Sequence, residues 1–335
     1  MPFETAAQSE ISVIIVNYAT AALAVEAVES VLSRDHDGQD VDIHVLDNAS
    51  PGDDADLLRR AHAAGGWGAR VTLHLETTNH GFGRGNNLVL RALANRARPP
   101  GKVFLLNPDA RLDNEAIAIL GGFLDRHPEA GGAGARIAKP CGTPVTAAFR
   151  FPSLSSEFSD TLAFGPVARL FAGRSVPLSP HSPTRQVDWV AGAAVMFRWE
   201  ALRAVGGFDA DYFLYYEEVD LMKRLAAEGW QVWYVAEAGV IHAEGAATGV
   251  RSGREQRRPR PDYWYDSWRL YFTKNHGLGY ARGCAIARLL AWQANAVLGM
   301  LPGRSAGAPR AFLDGFSRRA LRPLFGGRPC GSDGA

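Results

Sequence analysis

ISVIIVNYATAALAVEAVESVLSRDHDGQDVDIHVLDNAS, residues 11–50, decides the fold. Its first six residues form a β-rich run with little alternation, which is how a strand covered on both faces reads. Asn17 and Tyr18 close that strand, and residues 21–33 put Leu23, Ala27, Val28 and Val31 on one helical face. A second strand, 41–46, ends at Asp47-Asn48-Ala49-Ser50. Strand, helix and strand in so short a span point to a parallel pair, because parallel neighbours need a crossover of about this length.

Outward from this stretch the pattern repeats. Residues 54–64 read as a helix, VTLHL at 71–75 as a third strand, and Asn86 onward as a helix. A fourth strand, 103–106, runs into Asn107-Pro108-Asp109. Residues 140–185 are rich in Pro, Gly and Ser and read as loops along one side of a cleft. Strands at 193–197 and 231–235 follow, with a helix at 199–204 and a second one, stopped by Gly229, that carries Leu221 and Leu225 on one face. The alternation predicts an α/β fold with a central mixed, mostly parallel sheet flanked by helices. Ligands of such sheets bind beyond the carboxyl ends of the strands. Asn17, Asp47, Asn79 and Asp109 all fall at such ends and should converge on one cleft. Each alone would serve as a turn residue; their repetition favours a site.

Composition sets outer bounds. The chain has 335 residues, 47% hydrophobic and 21% charged, which suits a globular protein with a full core. Three widely spaced cysteines fit neither a disulfide scaffold nor a thiolate metal site, so a reducing cytosol is expected. MPFETAAQSE has no basic residue and does not read as a signal peptide, and no stretch reaches the roughly 18 apolar residues of a membrane span. Charge is uneven: residues 251–335 carry 15 Lys and Arg against 5 Asp and Glu, and the remainder 21 against 30. The expected organisation is a catalytic domain over 1–250, an amphipathic aromatic and basic helical extension over 251–302, and a loose Arg/Gly/Pro-rich tail over 303–335. The basic end should meet something anionic.

Three groups of residues could carry chemistry. Asp109, with His242 as a second ligand, could hold Mn²⁺ or Mg²⁺ against a diphosphate, although Asp109 could instead cap a helix. Glu217, Glu218 and Asp220 bring three carboxylates into little over one helical turn; crowding raises their pKa values and makes one a useful general base. The plainer reading is helix electrostatics, with Asp220 paired to Arg224. That reading leaves the aromatic run Tyr212 to Tyr216, suited to wall a sugar site, unexplained. In NHGFGRGNN, 79–87, a glycine-rich turn could offer backbone N–H groups to phosphate, with Arg84 either pairing the diphosphate or lying on the surface.

The chain resembles the large family-2 glycosyltransferases of the GT-A fold, and most closely their bacterial rhamnosyltransferase-like branch. The resemblance runs over about residues 11–276, through SVIIVNY (12–18), VLDNAS (45–50), NHGFGRGNN (79–87), LLNPDA (105–110), WVAGAAVMFR (189–198), GGFDADYFLYYEEVDLMKRLAAEGW (206–230) and VIH (240–242). It implies nucleobase contacts at Asn17 and Asp47, and a nucleotide–sugar side lined by Asn79, Arg84 and Asn87. It implies a metal site at Asn107-Pro108-Asp109 with Asp109 and His242 as ligands; Asn107 stands where related branches often keep aspartate. Glu217-Glu218 matches the pair that supplies the base, with Glu218 the first choice and Asp220 its rival, and Trp189, Gly192 and Asp209 fall on the acceptor side. The implied activity is inverting transfer from a nucleotide diphosphate sugar, dTDP-rhamnose first and UDP-hexoses or GDP-sugars next, to a saccharide or lipid-linked saccharide. The implied location is cytoplasmic, peripheral at the inner membrane face, with Trp264, Trp268 and Trp292 at headgroup level. The rival reading packs these tryptophans against the catalytic domain or a second subunit in a homodimer. Other classes fit less well: a nucleotidyltransferase would carry a basic glycine-rich loop after the first strand, a non-catalytic scaffold would have lost the acidic positions, and the tail holds no nucleic-acid-binding module.

Overall fold

The computed structural model describes residues 11–162, 164, 169, 171–243, 260–299 and 310–326. The linker at 251–259 and the tail positions 303–309 and 327–335 lie outside the described residues, as does the boundary expected near residue 250.

Strand β1 (Ile11–Asn17) is buried along its whole length and pairs in parallel with β2 (Val41–Asp47), Asn17 opposite Asp47. β3 (Val71–Leu75) extends the parallel run beside β2, and β4 (Lys102–Leu106) beside β1. The crossovers are α1 (Ala21–Leu32), α2 (Asp54–Ala64) and α3 (Gly81–Ala94). β5 (Ala110–Leu112), α4 (Ala116–Arg126) and β6 (Ala130–Ala138) follow. The sheet order is β3-β2-β1-β4-β11-β6-β12-β5, with β11 at Ala194–Arg198 and β12 at Gln231–His242. It is mixed, and its parallel run is shorter than expected, because β11 runs antiparallel to both β4 and β6. The chain leaves β6 through β7 (Pro144–Val145), β8 (Ala148–Phe149), α5 (Leu154–Leu162), β9 (Arg185–Val187) and β10 (Trp189–Val190), and re-enters the sheet from the carboxyl end of β4. That reversal sets Gly192 and Ala193 beside Asn107, whose N–H donates to the Ala193 carbonyl at 2.9 Å.

Apolar side chains fill both faces of the sheet. α1, α2 and α4 cover one face. The other is covered by α3, α6 (Trp199–Ala204) and α7 (Glu217–Ala227). A third cluster joins Tyr212 and Val219 to Tyr265, Trp268, Tyr271 and Phe272 of α8 (Asp262–Leu298), a helix broken at Gly277 where φ is 83°. Phe316, Ala320 and Leu324 complete that cluster, so residues 310–326 of the expected loose tail are instead helical and packed. Their spacing of four puts the three on one helical face, a signal hidden by the flanking Gly, Pro and Arg.

Two further elements depart from the sequence reading. α3 begins at Gly81, inside the glycine-rich turn, and Gly81 sits at φ +73° directly against the Phe213 carbonyl, where a Cβ has no room. β6, AGGAGARIA, has no side chains that announce a strand. Its bare backbone is what lets Trp230, Phe197 and Val190 pack onto it: a Cβ on Gly134 would lie 2.5 Å from Val190 Cβ. Gly134→Ala is therefore expected to lower the unfolding free energy by about 1–3 kcal/mol, through overpacking, read from urea denaturation. An unchanged midpoint would show that the β8–β10 layer yields freely.

Candidate active site

The carboxyl ends of β1 and β2 are locked together by side chains. Asn17 Nδ2 donates to Asp47 Oδ1 at 2.9 Å and to Ser50 Oγ at 3.2 Å, and the Ser50 hydroxyl donates to Asp47 Oδ1 at 2.6 Å. Thr20 Oγ1 donates back to Asn17 Oδ1. Both Asn17 and Asp47 are buried, so they shape the floor of the cleft through these bonds, while Tyr18 stands exposed beside them.

Asn48, which the sequence reading passed over, latches the next loop onto this floor. It accepts from the His80 N–H and donates to Asn79 Oδ1 and to the Gly81 carbonyl. Asn79 in turn accepts from the Gly81 N–H at 2.8 Å. Nothing in DNAS distinguishes Asn48 from a turn residue; its role follows from burial alone. Asn87 uses both ends of its amide on Phe208, donating to the carbonyl at 2.7 Å and accepting from the N–H at 3.0 Å. Its side chain therefore fastens the Gly206-Gly207-Phe208 turn to α3. Arg84, in the first turns of α3, keeps a buried Nε with no partner among the described residues. A buried guanidinium N–H left open in this way is a donor awaiting an acceptor.

Asp109 and His242 come together because β5 pairs antiparallel with β12, His242 opposite Ala110. His242 Nε2 lies 2.9 Å from Asp109 Oδ1, and Asn107 Nδ2 lies 3.4 Å from the same ring nitrogen. Asp109 does not cap α4, which starts at Ala116. The donor set is one carboxylate and one imidazole.

At the start of α7, Tyr215 and Tyr216 both adopt the left-handed conformation, with φ of 70° and 69°. Such residues cost roughly 1–3 kcal/mol each and gather where the fold overrides local preference. Here the turn aims Glu217 and Glu218 inward. Glu217 is 3% exposed, and both carboxylates leave one oxygen without a hydrogen-bond partner. Burial drives both pKa values upward, and for Glu217 the neighbouring charge of Glu218 adds to it. Glu218 faces Gly192: a Cβ there would meet Phe82 at 3.7 Å and Glu218 Oε1 at 3.8 Å. His242 thus meets both Asp109 and Asn107, Asn107 is bonded to the Ala193 carbonyl, and the neighbouring Gly192 lies beside Glu218.

Asp220 belongs to a different environment. It accepts from Arg224 Nε at 2.7 Å, Asn275 Nδ2 at 2.7 Å and the Tyr212 hydroxyl at 3.2 Å. Asp220 is thus engaged by three donors, whereas each of the two glutamates keeps one oxygen without a hydrogen-bond partner. Asp209 and Trp189 are likewise occupied. Lys274 Nζ sits 2.5 Å from Asp209 Oδ2, while Trp189 stacks on Phe149 at 4.1 Å and donates to the Arg150 carbonyl.

The α8 helix supplies Lys274 and Asn275, and Ser267 Oγ donates to the Leu214 carbonyl. It therefore grips the whole 209–220 segment. Trp268 is fully buried and donates to Glu157 Oε2, itself 3.0 Å from Arg288 Nη1. Trp264 is half-buried beneath the Arg260 guanidinium at 3.8 Å. The expectation of Trp264 and Trp268 at a membrane surface is thereby corrected: both pack the extension onto the catalytic body.

The buried glutamates link stability to pH. A carboxyl whose folded pKa lies above its unfolded value binds protons in the native state, so its contribution is full below the unfolded pKa and is lost as pH rises through the folded one. Glu217→Gln should melt above the wild type near pH 8, with the gap closing toward about pH 4.5. A gap independent of pH in thermal unfolding would mean that Glu217 titrates normally.

Two family models match: "Glycosyl transferase family 2" over residues 12–162 and "Glycosyl transferase family group 2" over residues 155–300. An N-acetylglucosaminyl-diphospho-decaprenol L-rhamnosyltransferase of Mycobacterium tuberculosis is 33% identical over 181 residues, 51% of this chain and 58% of the relative. The rhamnosyltransferase WbbL of Escherichia coli K12 is 26% identical over 49% of this chain and 61% of its own length. The chain thus spans about three-fifths of the length of these curated relatives. Among solved structures, the mannosyltransferase PcManGT from Pyrobaculum calidifontis, in complex with GDP-Man and Mn²⁺, superposes with a TM-score of 0.54 at 18% identity, over 94% of this chain and 81% of that one. GalNAc-T7 with UDP, GalNAc and Mn²⁺ gives 0.58 at 13% identity, over 84% and 51%. At such identities these structures speak to the fold, which is GT-A-like. Two overlapping family models, together spanning residues 12–300, and a shared architecture agree, and the chain belongs to glycosyltransferase family 2.

Proposed function

We propose that this chain is an inverting, divalent-cation-dependent hexosyltransferase that moves a sugar from a nucleotide diphosphate to a hydroxyl of a saccharide acceptor. The observation that carries the proposal is Glu218, whose carboxylate keeps a buried, unpartnered oxygen and lies beside Gly192, on the segment whose Ala193 carbonyl accepts from the N–H of Asn107, next to the Asp109–His242 pair. dTDP-rhamnose is the first donor to test and a lipid-linked saccharide at the inner membrane face the first acceptor, since two curated relatives bear rhamnosyltransferase names and one name includes a decaprenyl diphosphate saccharide. The catalytic unit is assigned to residues 1–250, completed by the extension over 251–302.

Asp109 and His242 would hold the cation. Their oxygen and imidazole donors suit Mn²⁺, with Mg²⁺ the alternative, and no group of three or more His, Cys, Asp or Glu among the described residues offers a fuller protein cage. Diphosphate oxygens and water would fill the remaining positions. The cation, when bound, neutralises charge on the leaving diphosphate. Arg84 offers its open N–H to the same diphosphate, and Asn17, Asp47 and Asn79 hold the nucleoside side of the cleft. Glu218 takes the proton from the acceptor hydroxyl as that oxygen bonds to the anomeric carbon and the bond to the diphosphate oxygen breaks, inverting the centre through an oxocarbenium-like state. Glu217 is the more deeply buried, and burial together with the charge of Glu218 raises its pKa, which favours a single shared charge on the pair.

Release of dTDP from dTDP-rhamnose, measured with and without Mn²⁺ or Mg²⁺, should be cation-dependent and lost in Asp109→Ala. With acceptor supplied, Glu218→Gln should lower kcat by about 10²–10⁴-fold, the usual share of a general base. Full kcat in Glu218→Gln would overturn the base assignment, and absence of binding to any nucleotide sugar would overturn the transferase reading.

A further inference from the structure

Seven large apolar side chains stand exposed among the described residues, and six of them gather on one surface. Leu278, Ile286, Leu290 and Val297 follow one another along the outer face of α8 beyond its break at Gly277, 45–65% exposed. Phe325 joins them because Arg282, midway between Leu278 and Ile286, donates to the Leu324 carbonyl at 2.8 Å and carries its guanidinium 5.4 Å from the Phe325 ring. Leu154 adjoins from the other side, its N–H donating to the Tyr280 hydroxyl and its Cδ1 lying 3.2 Å from the position of a Cβ on Gly283. Soluble surfaces scatter such residues singly; a contiguous patch marks something that covers it.

Charge narrows what that is. Between Asp266 and Asp314 the sequence contains no Asp or Glu and six Lys or Arg. The cations nearest the patch, Arg282 and the exposed Arg322, have no carboxylate partner among the described residues, in contrast to Lys274 and Arg288. A second copy seated on this face by a two-fold axis would set like charges against like, because the same patch meets itself. No described helix is long and apolar enough to cross a membrane. A helix with an apolar stripe and basic flanks lies in the plane of an anionic lipid surface instead. We infer that the 278–298 face of α8, with Leu154 and Phe325, is the seat of the protein on an anionic bilayer. The inference deepens the proposed function, whose lipid-linked acceptor would be presented at that surface, and it transfers the membrane role from Trp264 and Trp268 to aliphatic residues.

Vesicle flotation tests it. The full chain should float with phosphatidylcholine vesicles containing about 30% phosphatidylglycerol and remain behind with phosphatidylcholine alone. Ile286→Glu/Leu290→Glu, changes at exposed positions, should lower the floated fraction at least about tenfold. Arg282→Gln/Arg322→Gln should erase the preference for anionic vesicles. Failure of the wild type to float, or flotation of the double glutamate variant at the wild-type level, overturns the inference. So does a wild-type dimer that the glutamate variant dissociates in light scattering while flotation is unchanged, which would assign the face to a second copy. Nucleotide-sugar binding and metal-dependent release of the nucleotide diphosphate in vesicle-free buffer, measured on the same proteins, separate the two readings: absence of binding to any nucleotide sugar in the wild type defeats the transferase assignment and leaves the flotation result standing, and persistence of the wild-type binding and release in the glutamate variant isolates the loss to the membrane.

Discussion

Two carboxyl groups on consecutive residues, each with one oxygen withdrawn from water and without a hydrogen-bond partner, are the constraint around which the site is organised. Burying a carboxylate beside another is unfavourable by desolvation and by repulsion, and the protein tolerates it only where neighbouring elements leave no alternative. The tyrosine pair at positive φ turns Glu217 and Glu218 inward. Gly83 yields space beside Glu217 Cβ and Gly192 beside Glu218. Phe82 and Phe208 meet edge to face at 5.9 Å between the two glycine-bearing segments. Each is a local sacrifice that makes sense only in view of the carboxylates it positions.

What over-determines that arrangement is the third apolar cluster. α8 packs behind the 209–220 segment through Trp268, Tyr271 and Phe272, and its polar side chains finish the job by engaging Asp209, Asp211 and Asp220. Asp220 is thus neutralised by Arg224 and held by Asn275, which removes a third competing charge from the neighbourhood of the glutamates. The extension is therefore part of the site's framework. Its basic excess divides into two populations: cations spent on the catalytic body, such as Lys274 and Arg288, and cations flanking the exposed aliphatic face, such as Arg282 and Arg322. One helix connects the 209–220 segment to that face.

Elements with a strong period were legible in the chain. α2 spans Asp54–Ala64 and β3 spans Val71–Leu75 as the pattern predicted, and Asn17 and Asp47 lie at the ends of neighbouring parallel strands. The burial and alternation that shape such segments act over a few residues, so they leave a local trace. β6 left none, since a glycine and alanine strand is defined by the bulk of Trp230, Phe197 and Val190 from other parts of the chain. The start of α3 was misplaced for the same reason: Gly81 is required by the Phe213 carbonyl, and Gly85 by the approach of Val16 and Leu46.

At the site the division is similar. The groups proposed to react, a carboxylate and an imidazole at two strand ends and an acidic pair opening a helix, could be picked out from the sequence by itself, because chemistry needs particular side chains. Which of three carboxylates keep an unpartnered oxygen, which asparagine latches a loop and which tryptophans are buried were decided only by tertiary structure. Those properties are set by partners distant along the chain, Asn275 for Asp220, His80 for Asn48 and Glu157 for Trp268, and partnership across such separations exists only once the chain has folded.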